Sequence, residues 1–143
     1  MTEKTKTHAI VQRVDGLTFA ARSNSNHWVM MDTSREFGGA GAGSTPMELI
    51  LMALGGCTGM DVLSILQKKR LKVTDLRLEL EGEKSTDYPM VYTHITITYH
   101  VYGHGIKEED VKRAVELSES KYCSVQAMLR QSCPITLNYQ IYD

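Results

Sequence analysis

The sequence of 143 residues has little cysteine, with Cys57, Cys123 and Cys133 alone, and almost no net charge, -1 at pH 7. Each shortage excludes something. A small, odd cysteine count argues against a framework of structural disulfides. No two cysteines form a C-x-x-C pair, and no histidine stands at ligand spacing from any of them, so no metal site is expected. The missing charge excess removes the usual electrostatic signature of nucleic-acid binding and of attachment to an anionic membrane. Residues 1–7 carry Lys4 and Lys6 without an apolar stretch behind them, so no secretory signal is predicted. The longest uncharged apolar run, residues 49–60, is too short and too glycine-rich to span a bilayer. The expected location is the cytoplasm, and the expected organisation is one domain over residues 1–143.

What is present reads as an ordinary globular chain, 42% hydrophobic and 23% charged. Residues 9–14 and 17–22 flank Asp15-Gly16, a strong hairpin signal, and a short third strand is predicted at 28–32. Residues 33–44 hold Gly38, Gly39, Gly41 and Gly43 and are expected to form a flexible loop. A long helix comes next, to about residue 70. Thr45 is its N-cap, Pro46 its first residue and Glu48 its third, a capping box with proline at the favoured position. Residues 49–54 are apolar on every side, so the start of this helix is expected to be buried all round.

Two strands with period-2 alternation succeed the helix. Leu76, Leu78 and Leu80 line one; Ile95, Ile97, Tyr99 and Val101 line the other. A second helix is predicted over 107–122, with Val111, Ala114, Val115, Ser118 and Tyr122 as its inner stripe, then a short helical piece at 124–130. A last strand alternates through Ile135, Leu137, Tyr139 and Ile141. Strands and helices segregated in this order give an α+β fold.

Cys57 lies in Gly55-Gly56-Cys57-Thr58-Gly59. Three glycines inside a helix cost about 1 kcal/mol each relative to alanine, so something must come close there: another part of the chain, or a substrate. Tight packing around an inert thiol and a working nucleophile both remain open. A buried nucleophile would need a cation to favour its thiolate. Arg35, at the edge of the glycine-rich loop, is the nearest candidate in sequence, and Glu48 could hold that arginine as well as cap the helix. Cys123 ends the second helix, and Cys133 begins the last strand, where a structural role is expected. The run from Gly39 to Ser44 stands between a strand and a helix, as a phosphate-binding loop would. It lacks G-K-[ST] and G-x-G-x-x-G, however, so no nucleotide cofactor is predicted. His8, His27, His94, His100 and His104 show no metal spacing.

Two segments carry a resemblance. Ser44-Thr45-Pro46-Met47-Glu48-Leu49-Ile50-Leu51-Met52-Ala53-Leu54-Gly55-Gly56-Cys57-Thr58-Gly59-Met60-Asp61-Val62 resembles the first cysteine motif of the OsmC / organic hydroperoxide resistance family. Lys121-Tyr122-Cys123-Ser124-Val125-Gln126-Ala127-Met128-Leu129 resembles the second, and the distance between the two cysteines matches. The resemblance implies an OsmC-like intertwined homodimer, antiparallel sheets around two long central helices, with active sites at the subunit interface. It also implies a thiol-dependent peroxidase for organic hydroperoxides and hydrogen peroxide. Cys57 would form a sulfenic acid, Cys123 would resolve it as a disulfide, and a dithiol such as a lipoyl protein would restore the thiols. Arg35 and Glu48 would activate Cys57. In the best-known members the glutamate comes directly after the proline; here Met47 intervenes, a rotation of about 100° on a helix. The competing expectation is a non-catalytic dimer that holds a small apolar ligand in its interface pocket.

Overall fold

The N-terminal strands pair as the Asp15-Gly16 signal predicted. β1 (Ala9–Asp15) turns back through Gly16, at φ +51, into β2 (Thr18–Ser23), which carries β3 (Val29–Met31) on its other edge. The three form an antiparallel sheet in the order β1-β2-β3. The structure is a computed structural model describing residues 4–143, and the chain falls into two compact units, 1–50 and 51–143.

Residues 33–44 differ from the flexible loop expected of them. They are gathered round one carboxylate. Asp32, only 4% exposed, accepts hydrogen bonds from the Thr18 hydroxyl at 2.7 Å and from the backbone N–H groups of Thr33 (2.7 Å), Ala40 (3.2 Å) and Ala42 (3.1 Å). These bonds, the Thr18 hydroxyl foremost, hold its carboxyl below the ordinary value of 3.8. The glycines serve this closure rather than mobility. A Cβ on Gly39 would lie 2.1 Å from the Thr33 carbonyl oxygen, and one on Gly43 would lie 2.7 Å from the Met30 backbone. Within the loop, Arg35–Phe37 make one 3-10 turn, ended by Gly38 in the left-handed region.

The capping box forms as predicted: the Thr45 N–H donates to Glu48 Oε1 at 2.8 Å, and the Glu48 N–H donates to Thr45 Oγ1 at 3.2 Å. It opens α1 (Pro46–Lys68). Along residues 49–54, however, only Leu54 is buried; Ile50 is 37% and Met52 52% exposed. The buried residues of the helix, Leu54, Gly55, Thr58, Val62 and Leu66, share one face. As a helix α1 is longer than its uncharged run. By length and mean hydropathy, 1.9 over 18 residues, it would suit a bilayer as well as a protein interior.

In the C-terminal unit, β4 (Lys72–Lys84) and β5 (Tyr92–His104) pair antiparallel, and β6 (Ile135–Tyr142) joins β5 in parallel. β5 is the central strand. Its Ile95, Ile97, Tyr99 and Val101 are fully buried, with Leu54, Val62 and Leu66 of α1 and Val111 and Ala114 of α2 (Glu108–Leu117). Burial of each large apolar side chain contributes roughly 1.5–3 kcal/mol, so this cluster fixes α1 and α2 on the sheet.

The second predicted helix is broken near its end. α2 passes into one π turn, Ser118–Tyr122, and after Cys123 the chain resumes as α3 (Ser124–Leu129). The extra residue in that turn rotates the chain beyond it. Ser118 stays inside as expected, but Tyr122 leaves the inner stripe and is 50% exposed.

Candidate active site

The glycines around Cys57 sort themselves by neighbour. A Cβ on Gly55 would meet Leu80 Cδ1 at 2.7 Å, and one on Gly59 would meet Leu78 at 3.3 Å, while Gly56 faces open space. Gly55 and Gly59 are therefore a packing stripe for β4. Cys57 and Asp61 form another stripe, one helical turn apart, as residues i and i+4 do.

The π turn brings Cys123 to this second stripe. Its backbone N–H donates to the Ser118 carbonyl at 2.8 Å, which closes the turn, and its Sγ accepts from the Gln126 N–H at 3.3 Å as the N-cap of α3. The Cys57 sulfur, the Cys123 sulfur and an Asp61 carboxylate oxygen all lie within 4.8 Å of one another. Both thiols are free; Cys57 is part-exposed and Cys123 only 3% exposed. Burial pushes the Cys123 thiol up to about 12, against the Gln126 hydrogen bond and helped by Cys57 and the Asp61 charge.

Beneath the sulfurs lies a chain of buried hydroxyls. Ser118 Oγ donates to Asp61 Oδ2 at 3.0 Å. Thr58 Oγ1 is 2.8 Å from Ser118 Oγ and 2.7 Å from the Tyr99 hydroxyl. Each hydroxyl has one proton to give. Ser118 gives its own to Asp61, so Thr58 must donate to Ser118 and Tyr99 must donate to Thr58. All three dipoles point toward Asp61. Tyr99 stays a donor over the whole neutral range, because burial raises its hydroxyl to about 12. Asp61 also lines a cavity of about 330 Å³ with Ile65, Lys68, Lys69, Leu117 and Tyr122.

Of the residues singled out in the sequence, Cys57 and Cys123 come together here. Arg35 and Glu48 belong to the N-terminal unit, Arg35 in the 3-10 turn and Glu48 in the capping box. Cys133 is buried at the entrance to β6, outside the sulfur cluster. Sequence reading passed over Asp61, Thr58, Ser118 and Tyr99. Asp61 had a usable signal, its i+4 spacing from Cys57. Ser118 had another, a serine set in an apolar stripe. Thr58 and Tyr99 had none, since their pairing crosses from α1 to β5.

A long helix bearing one thiol, met by a second thiol from a broken helix over a mixed sheet, defines a class. The chain belongs to the OsmC-like protein family, whose model matches residues 38–138. It is 43% identical to Protein YhfA of Escherichia coli K12 over 134 residues, 93% of this chain and 96% of that one. It also superposes on a crystal structure of a hypothetical protein from Aquifex aeolicus with a TM-score of 0.85 and 30% identity, covering 96% of this chain and 97% of the other. A more distant likeness shares the fold: an organic hydroperoxide resistance protein OsmC from Legionella pneumophila, with TM-score 0.69, 14% identity, and 97% and 99% of the two chains covered.

Proposed function

We propose that the protein is a thiol-dependent peroxidase that reduces organic hydroperoxides, and hydrogen peroxide, in the cytoplasm. The observation that carries the reading is the approach of the Cys57 and Cys123 sulfurs to within 4.8 Å. Their environments divide the roles. Cys57 is part-exposed and can be reached by peroxide. Cys123 is buried and kept protonated, which suits a resolving thiol rather than an attacking one. Cys57 sulfur attacks the terminal peroxide oxygen, the O–O bond breaks, an alcohol leaves, and a sulfenic acid remains. Cys123 converts this to a disulfide with loss of water, and a dithiol such as a lipoyl protein reduces it. Arg35, oriented by Glu48, is assigned the stabilisation of the Cys57 thiolate, and the working form is a homodimer. Membership of a family that includes proteins named for organic hydroperoxide resistance supports the reading.

Peroxide consumption with cumene hydroperoxide and dithiothreitol tests it. Turnover that Cys57→Ser abolishes is expected; a wild-type rate no greater than that of Cys57→Ser would overturn the reading. The second reading, a binder of a small apolar ligand, is favoured by the cavity lined by Ile65, Leu117 and Tyr122. Mass spectrometry after one equivalent of hydroperoxide separates the two: a Cys57–Cys123 disulfide marks the enzyme, unmodified thiols the binder.

A further inference from the structure

We propose that Asp61 carries the proton in the step that joins the two sulfurs, and that the Tyr99, Thr58 and Ser118 hydroxyls hold it in place for that transfer. This rests on the peroxidase reading above.

The step balances within the site. Cys57 enters as the sulfenic acid and Cys123 as the thiol. The S–O bond of Cys57 and the S–H bond of Cys123 break, while an S–S bond and an O–H bond form. Cys57 sulfur is reduced, Cys123 sulfur is oxidised, and one water leaves. The Cys123 proton must therefore travel from its sulfur to the departing oxygen on Cys57. At 3% exposure, Cys123 has little solvent to take it.

Asp61 is placed to do so, with a carboxylate oxygen within 4.8 Å of both sulfurs. Its Oδ2 accepts from the Ser118 hydroxyl, and the carboxylate keeps further acceptor capacity for the proton. The three aligned hydroxyls all point their dipoles at this carboxylate. They also fix its direction, because Tyr99 is rooted in β5 and Ser118 in the π turn. The titratable groups around Asp61 are Cys57, Cys123 and Tyr99, with Glu119 acting on Tyr99 from the π turn. Lys68 and Lys69 line the same cavity, and Lys69 pairs with Asp110 at 3.3 Å. Asp61 is thus a general base toward Cys123 and a general acid toward the leaving oxygen. Ser118 and Thr58 are positioning residues.

The test tracks the two half-reactions separately, with cumene hydroperoxide as the oxidant. Sulfenic acid is read by dimedone trapping, and disulfide by quench and mass spectrometry. Asp61→Asn keeps an acceptor for Ser118 but cannot take the proton. It should slow disulfide formation by roughly 100-fold relative to sulfenic acid formation in the same variant, the scale of one general acid–base group. The disulfide step of Asp61→Asn should also gain a steep dependence on hydroxide between pH 7 and 9, which a loss of packing would not give. Asp61→Glu should recover part of the rate. Ser118→Ala, which keeps the carboxylate but not its donor, should slow the same step by about tenfold. Disulfide formation at wild-type rate and with wild-type pH profile in Asp61→Asn, or in Ser118→Ala should the first variant not fold, overturns the proposal alone. A wild-type protein that forms neither species overturns the peroxidase reading, and this proposal with it.

Discussion

Thr58 comes just after Cys57 in the chain, yet its hydroxyl turns into the core and its side chain has no exposure. It is the middle of a three-hydroxyl chain, accepting from Tyr99 and donating to Ser118. Thr58→Val keeps the shape and deletes both bonds. Tyr99 and Ser118, also fully buried, then lose a partner each. The expected cost is on the order of 1–3 kcal/mol, seen as a lower urea midpoint with an unchanged slope. An unchanged midpoint would mean that the hydroxyls re-pair without Thr58. Gly55 and Gly59 teach a related lesson. From the sequence, glycines beside a cysteine suggested the close approach of another part of the chain or of a substrate; in the fold Gly55 and Gly59 make room for Leu80 and Leu78, while Gly56 faces open space.

At the scale of elements, the loop of residues 33–44 hangs on Asp32. Its carboxyl is held below the ordinary 3.8, first by the Thr18 hydroxyl and then by the Thr33 N–H. A depressed folded value means that the stabilisation is complete above the unfolded value and is lost as pH falls through the folded one. Urea unfolding should therefore show wild type above Asp32→Asn at pH 6, with the gap closing as pH drops below about 4. A gap that stays constant down to pH 2.5 would contradict the account. This loop also marks the limit of local patterns. The hairpin, the capping box and the alternation of β4, β5 and β6 are local, and each was legible. The closure on Asp32 was not, because its donors come from β2 and from residues eight and ten positions later. The π turn was hidden for a similar reason. One extra residue per turn leaves the apolar pattern of α2 intact up to Ser118 and shows only in where Tyr122 ends up. Cys57 and Cys123 stood out by residue type and motif, whereas the role of Asp61 depends on Ser118, 57 residues away in the chain.

The whole chain exposes more apolar surface than a self-sufficient protomer should. Val11, Val14, Trp28 and Phe37 are 56%, 58%, 58% and 65% exposed, and on α1 Met52 and Met60 are 52% and 75% exposed. In the N-terminal unit only Thr18 and Asp32 are buried among the described residues. A three-stranded sheet without a core is not stable alone, and apolar patches of this kind mark interfaces. The proposed homodimer accounts for both. Sedimentation at micromolar concentration should give twice the chain mass, and Met60→Lys should shift the equilibrium toward monomer. A wild-type monomer at tens of micromolar would refute it. The proposed homodimer would also account for the apolar composition of residues 49–54, of which only Leu54 is buried in the protomer.

The π turn that delivers Cys123 to α1 has a thermal consequence. If the two sulfurs join, they tie the middle of the long helix to the far end of the next one, and everything from residue 57 to residue 123 becomes a closed ring. A ring of that length removes on the order of 4 kcal/mol of unfolded-chain freedom. The oxidised protein would then be the more heat-resistant form and the reduced protein the softer one. Melting temperature itself would report whether the cell had left the two thiols reduced or joined.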